Sequence, residues 1–140
     1  MRSTLILAVL AGVCVAVQTS LTGAAQRTLG PAVLVAISGL TTGGCALLVS
    51  FFVAKPDFTG RAVVSALASG VLGAVIVGSI AVAAGQAGVA RALSLVIAAQ
   101  LMAGLLLDAL GIFGAGADFS IPKALGVVLI VLGGVLVVSF

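Results

Sequence analysis

A chain of 140 residues that is 63% hydrophobic and carries six basic and three acidic side chains does not build a water-soluble domain, in which about a quarter of residues are charged. The net charge of +3 is scattered rather than gathered into a stripe, so nucleic-acid binding has no footprint. With no His and no clustered acids, the chain offers no nucleophile–base pair, so no catalytic residue, metal site or cofactor is expected.

The apolar residues come in long continuous runs. A membrane barrel would instead alternate apolar and polar positions over about ten residues. The expected fold is therefore all-α: a polytopic membrane protein forming a single five-helix domain over residues 1–140. A helix crosses the hydrocarbon core with about 20 apolar residues, and five runs reach that length.

The first run covers about 4–25 and stops at Gln26-Arg27. Within it, Leu10-Ala11-Gly12-Val13-Cys14 has the outline of a lipoprotein cleavage box. Val13 is too large for the position before the cysteine and the apolar run continues, so a retained span is expected. Leu29-Gly30-Pro31 is a turn, with Pro31 placed to open the second helix. The second run, about 32–54, ends at Lys55-Pro56-Asp57. The stretch from Arg61 to Asp108 is too long for one span and divides at Gly85-Gln86-Ala87-Gly88, giving runs of about 62–84 and 89–110. A glycine-rich loop containing Asp118 follows, and Pro122 opens the fifth run, 121–140. All three prolines lie at boundaries. Cys14 and Cys45 fall inside runs and read as small packing residues.

Five spans place the two ends of the chain on opposite faces of the bilayer. Arg2, Lys55, Arg61 and Lys123 share one face, while Arg27 and Arg91 share the other. The positive-inside rule favours a cytoplasmic amino terminus, by a narrow bias. Phe51, Phe52, Phe58, Phe113 and Phe119 fall near the four-charge face and read as interfacial anchors. Small residues that let helices approach in lipid recur in Ala66-x-x-x-Gly70, Ala74-x-x-x-Gly78 and Gly39-x-x-x-Gly43, and as Gly126 and Gly133, seven apart on the fifth helix.

The informative residues are polar groups inside spans, which are costly in lipid and face a bundle interior or a watery cavity. On the first helix, Ala11, Cys14, Gln18, Thr22 and Ala25 share one face at helical spacing. That face serves either interhelical hydrogen bonding or a cavity wall in which Gln18 offers its amide to a solute. On the fourth helix, Gln100 lies near mid-span and Asp108 eight residues on, about 80° round the helix, so both can edge one cavity. Asp108 is near a helix carboxyl end, where the dipole disfavours its charge; it either pairs with Lys or Arg at the interface or takes a proton- or cation-coupling role. Arg91 either snorkels to the interface or contacts an anion at a cavity mouth. Gln86 belongs to the turn. The candidate substrate-binding set is thus Gln18, Thr22 and Gln100, with Asp108 and Arg91 as a coupling or ion pair, and Gly70, Gly78, Gly126 and Gly133 as packing positions.

Gly12-x5-Gln18, the turn Leu29-Gly30-Pro31, the pair Gln100-Leu101, the ending Asp108-x-x-Gly111 and a Gly- and Leu-rich last helix occur in an order and spacing that resemble the YdcZ-type small transporters of the drug/metabolite transporter superfamily. The resemblance spans essentially the whole chain. Thr22 stands where that family usually has Asn, and Ala99 where it has Gly. The related small multidrug exporters carry a membrane-embedded Glu on helix one; Gln18 is not that residue, so their proton coupling is not carried over. What the resemblance implies is a multi-pass exporter of the inner (cytoplasmic) membrane. It would move small polar or charged metabolites or drugs. Larger members of the superfamily resemble two five-helix halves of opposite orientation. Two copies of this chain inserted oppositely would reproduce that inverted repeat. The expectation is an alternating-access homodimer of dual topology, with a cavity lined by helices one to four and a dimer contact on the fifth. Its partners would be the lipid bilayer, a small-molecule substrate and a second copy. The contrasting expectation is a non-transporting scaffold or assembly subunit, which needs packing faces alone.

Overall fold

The computed structural model describes residues 2–53, 58–111 and 120–140. Among these residues are five helices: α1 (Arg2–Leu29), α2 (Pro31–Ser50), α3 (Gly60–Ala87), α4 (Val89–Leu110) and α5 (Ile121–Ser139). Each is long and apolar enough to cross a membrane. A helix suits that solvent because it satisfies every interior backbone N–H and C=O within itself. At 28 residues each, α1 and α3 run to about 42 Å, longer than the roughly 30 Å hydrocarbon core.

The helix ends follow from local chemistry. Gly30 has φ 74° and ψ 158°, and Gly88 has φ 89° and ψ 155°. Each is a one-residue joint between two helices, in a region where a Cβ would be strained. Gly30 serves both neighbours: its N–H donates to the Gln26 carbonyl at 3.0 Å, and its own carbonyl accepts from Leu34 N at 3.2 Å. Pro31, which has no N–H to satisfy, then occupies the first turn of α2. Gly88 repeats the second half of this arrangement, accepting from Ala92 N at 3.1 Å. Gln86, expected in a turn, is inside the last turn of α3, so the break between α3 and α4 is one residue wide. Thr59 caps α3, its Oγ1 accepting from Ala62 N at 3.3 Å.

The observed α1 and α3 outrun the expected apolar runs at both ends, while α4 matches its run. Charge stops an apolar count but not a helix, provided the charged side chain finds a partner, and Arg27 does, on the Gly85 carbonyl. The second span is shorter than expected. Phe51 and Phe52 turn after Ser50, where the Ser50 hydroxyl donates to Leu47 O at 2.7 Å and Phe52 N donates to Val49 O at 3.0 Å. Phe51, Phe52 and Phe58 are all exposed, as interfacial anchors require. Lys55, Phe113, Asp118 and Phe119 lie outside the described residues.

The chain divides into two compact units, residues 1–85 and 86–140. Most Leu, Val and Ile side chains in both are uncovered by protein, as expected where lipid is the neighbour and helices associate by close packing. In the first unit the seam between α1 and α3 is built from small residues. Thr19 and Gly23 of α1 are buried, as are Ala81 and Ala84 of α3. A Cβ on Gly23 would lie 3.3 Å from Ala84 Cβ and 3.4 Å from Gly85 N, so the two backbones nearly touch. A Cβ on Gly78 would lie 3.4 Å from Val35 Cγ2 of α2, so α3 also meets α2 there. In the second unit α5 packs on α4, where a Cβ on Gly134 would sit 3.3 Å from the Ser94 carbonyl oxygen.

Candidate functional site

The first unit holds an open groove of about 720 Å³ between α1, α2 and α3, within the range of small-molecule sites. Its polar lining is Gln18 of α1 with Ser38 and Thr42 of α2. Every one of these three lies within one turn of the midpoint of its helix, which sets the groove at mid-depth of the spans. Ser38 and Thr42 are four residues apart and share a face of α2. The rest of the lining is small or aliphatic, with Gly39, Gly70, Gly73 and Ala74 among it.

Small residues account for the space. No heavy atom lies within 4 Å of where a Cβ on Gly39, Gly70 or Gly73 would stand. Gly70 and Ala74 were expected to mark tight helix contact; they instead leave volume at mid-span, while Gly78, one turn beyond Ala74, makes the contact.

The hydroxyls on α2 divide by face. Thr41 Oγ1 folds back to donate to Ile37 O at 2.9 Å, the usual way a hydroxyl satisfies itself inside a helix. Ser38 and Thr42, which face the groove, have no such bond among the described residues, and neither does the Gln18 amide. Three polar groups that water or a solute could satisfy therefore converge on one cavity. Among the described residues, none that lines the groove is Asp, Glu, Lys or Arg.

Thr22 is placed differently from the expectation. Its hydroxyl donates to Gln18 O at 2.9 Å and to Thr19 O at 3.3 Å, so it is taken up by its own helix. The protein-buried face of α1 passes through Thr19 and Gly23, one residue round from the Gln18 and Thr22 face. Gln100, Asp108 and Arg91 belong to the second unit and are exposed there. The Asp108 carbonyl accepts from Gly111 N at 3.2 Å, closing α4 in a left-handed cap. Gly126 and Gly133 have open space where a Cβ would stand; the glycine that meets α4 is Gly134.

Arg27 has a role that its reading as a loop charge missed. It sits in the last turn of α1 and donates from Nη2 to the Gly85 carbonyl at 2.6 Å. That carbonyl is among the last of α3, which lack a partner within the helix. A cation there also complements the negative end of the helix dipole. The Gln26 side chain lies so close to Gly85 that a Cβ would collide with it. Gln26, Arg27 and Gly85 thus lock the ends of α1 and α3 together. A signal for Ser38 and Thr42 was present in the sequence: two polar residues four apart in the middle of an apolar run, the same pattern that singled out Gln18 and Thr22.

Residues 3–136 match the family model described as "Putative inner membrane exporter, YdcZ". No curated protein matches the chain, and no solved structure does. The five spanning helices fit a multi-pass membrane protein, and the matched family is one of inner-membrane exporters, which are transporters rather than enzymes. The match covers nearly the full length of the sequence, and the chain belongs to the YdcZ family of inner-membrane exporters.

Proposed function

We propose that this chain is an exporter subunit whose solute binds in the groove between α1, α2 and α3, with Gln18 as the principal polar contact. The observation that carries the reading is the convergence of Gln18, Ser38 and Thr42 on a cavity at the mid-depth of three spans. Transporters place substrate sites near the bilayer midplane, where alternating access can open them to either face. Unpartnered polar groups at that depth are expensive unless something visits them.

Alternating access needs a second, oppositely disposed half. Five spans in one chain, with a narrow charge bias, suit two copies inserted in opposite directions. The functional unit in this reading is an antiparallel homodimer, with the open faces of Gly126 and Gly133 available to the partner copy. Gln100 is retained as a candidate solute contact, and Asp108 and Arg91 as candidate coupling or ion-pair groups, all three in the second unit.

Two experiments test these statements separately. In a Cys14→Ala, Cys45→Ala background, Gln18→Cys should react with water-soluble thiol reagents, because a transport cavity is wetted. No reaction at position 18 and none at Gln100→Cys would favour a scaffold held together by packing alone. Accessibility labelling of both ends of the chain tests dual topology; a single orientation in every copy rules out the antiparallel dimer and leaves a parallel one.

A further inference from the structure

We infer that the groove selects an uncharged, amphipathic solute with few hydrogen-bonding groups, whose polar head is held by the Gln18 amide opposite the hydroxyls of Ser38 and Thr42. This rests on reading the groove as the solute site, and it narrows the polar or charged solutes expected from sequence. Charge is the first discriminator. Among the described residues, none that lines the groove carries an ionised side chain, and an ion brought to mid-membrane depth without a counter-charge keeps its desolvation penalty uncompensated.

Hydrogen-bonding capacity is the second discriminator. A carboxamide offers two donors and an acceptor, and each hydroxyl offers one donor and an acceptor. Ser38, Thr42 and Gln18 can therefore match one amide, alcohol or ketone head, but not the many hydroxyls of a sugar, most of which would be buried unpaired. Val35, Leu40 and Val77 supply an aliphatic wall for the remainder of the molecule. The carboxamide also accepts either donor or acceptor heads, so selection falls on charge and polarity rather than on one functional group.

The test uses the full chain in lipid nanodiscs with Cys14→Ala and Ala74→Cys. Ala74 lines the groove, and the native Cys45, which is not among the lining residues, serves as the reference thiol. Alkylation by N-ethylmaleimide is followed at both thiols by mass spectrometry. The probes are three matched trios on phenylbutyl, cyclohexylbutyl and octyl bodies, each ending in a carboxamide, an ammonium or a carboxylate. The carboxamides should slow labelling at position 74 and leave Cys45 unaffected, while the charged members should do neither. Gln18→Glu, close to isosteric, should weaken protection by the carboxamides about tenfold, the worth of one or two hydrogen bonds, and bring the ammonium members into the protecting set. Protection by ammonium or carboxylate members equal to that by carboxamides would overturn the inference while leaving the groove as the solute site. An unchanged ranking in Gln18→Glu would overturn the assignment of Gln18 to the head. Free labelling of position 74 with all nine probes would remove the groove as a solute site, and the proposed function with it.

Discussion

The two units use the same small residues to opposite ends. In the second, Gly134 brings α5 against the Ser94 carbonyl, and the Ser94 hydroxyl is folded back onto Ala90 O at 2.8 Å. Polar groups at that seam are consumed locally. In the first unit, small residues do two jobs along a single helix. Near its carboxyl end α3 uses Ala81, Ala84 and Gly85 to meet α1 closely; at its middle it uses Gly70, Gly73 and Ala74 to stand back. Close approach at one end and a gap at mid-span leave a groove with polar groups that are not consumed. In lipid, where burying Leu gains nothing over leaving it in acyl chains, a small residue decides the helix distance only if a backbone faces it. Sequence spacing alone cannot separate the two cases.

That comparison can be broken most forcefully at the α1–α3 seam. Gly23→Val would drive two methyl groups into Ala84 and the Gly85 backbone, with an overpacking cost of about 1–3 kcal/mol. Gly12→Val on the same helix meets nothing within 4 Å and reports the gain in helix propensity alone. Thermal unfolding in detergent should show Gly23→Val well below the wild type and Gly12→Val at or above it. Equal behaviour would mean that the seam does not hold the first unit together. The second unit supplies the same contrast between adjacent residues. Gly134→Val faces the Ser94 carbonyl and should destabilise, by less than Gly23→Val because a single backbone atom is met closely. Gly133→Val faces open space and, like Gly12→Val, should leave the isolated chain at or above wild-type stability. If Gly133→Val nonetheless dissociates a crosslinkable dimer, that face is where the copies meet.

How much of this was legible beforehand varied with the physics involved. The start of α4 was readable because Gly88 breaks an almost charge-free stretch too long for one span, and Pro31 marked the start of α2 for a similar reason: both are backbone constraints carried by a single residue. The ends of α1 and α3 were not readable, because they depend on a contact 58 residues apart in sequence, Arg27 to Gly85. The choice of Gln18 rested on the cost of a mid-span amide, and the structure places that residue in the groove. Thr22 met the same criterion and still differs, since a β-hydroxyl can satisfy itself on the preceding turn and an amide cannot. Ser38 and Thr42 were equally visible as types, but nothing in the sequence distinguishes Thr42 from Thr41. Only the packing of α2 against its neighbours decides which hydroxyl faces the gap.

Smaller effects sharpen the comparison further. Arg27→Ala removes the donor from the Gly85 carbonyl. Because the pair lies at an exposed helix end, where water can replace the donor, the expected loss is under about 1 kcal/mol. Arg27→Lys should restore part of it, since the dipole interaction needs only the charge. A loss beyond about 3 kcal/mol in the same thermal assay would show the end lock to be a buried element rather than a cap.

The smallest stability effect is expected at the groove itself. Ser38→Ala and Thr42→Val delete hydroxyls that bond to no described residue, so each should lie within about 0.5 kcal/mol of the wild type. Thr41→Val deletes one that is bonded to Ile37 O, yet it should also be nearly neutral, because that bond competes with the helix as much as it supports it. The three variants therefore look alike by unfolding and separate only when a solute is present. Protection of a groove thiol by an uncharged amphiphile should fall in Ser38→Ala and Thr42→Val and persist in Thr41→Val. Equal loss in all three would mean that α2 responds as a whole to substitution, and the division of its hydroxyls by face would carry no functional meaning.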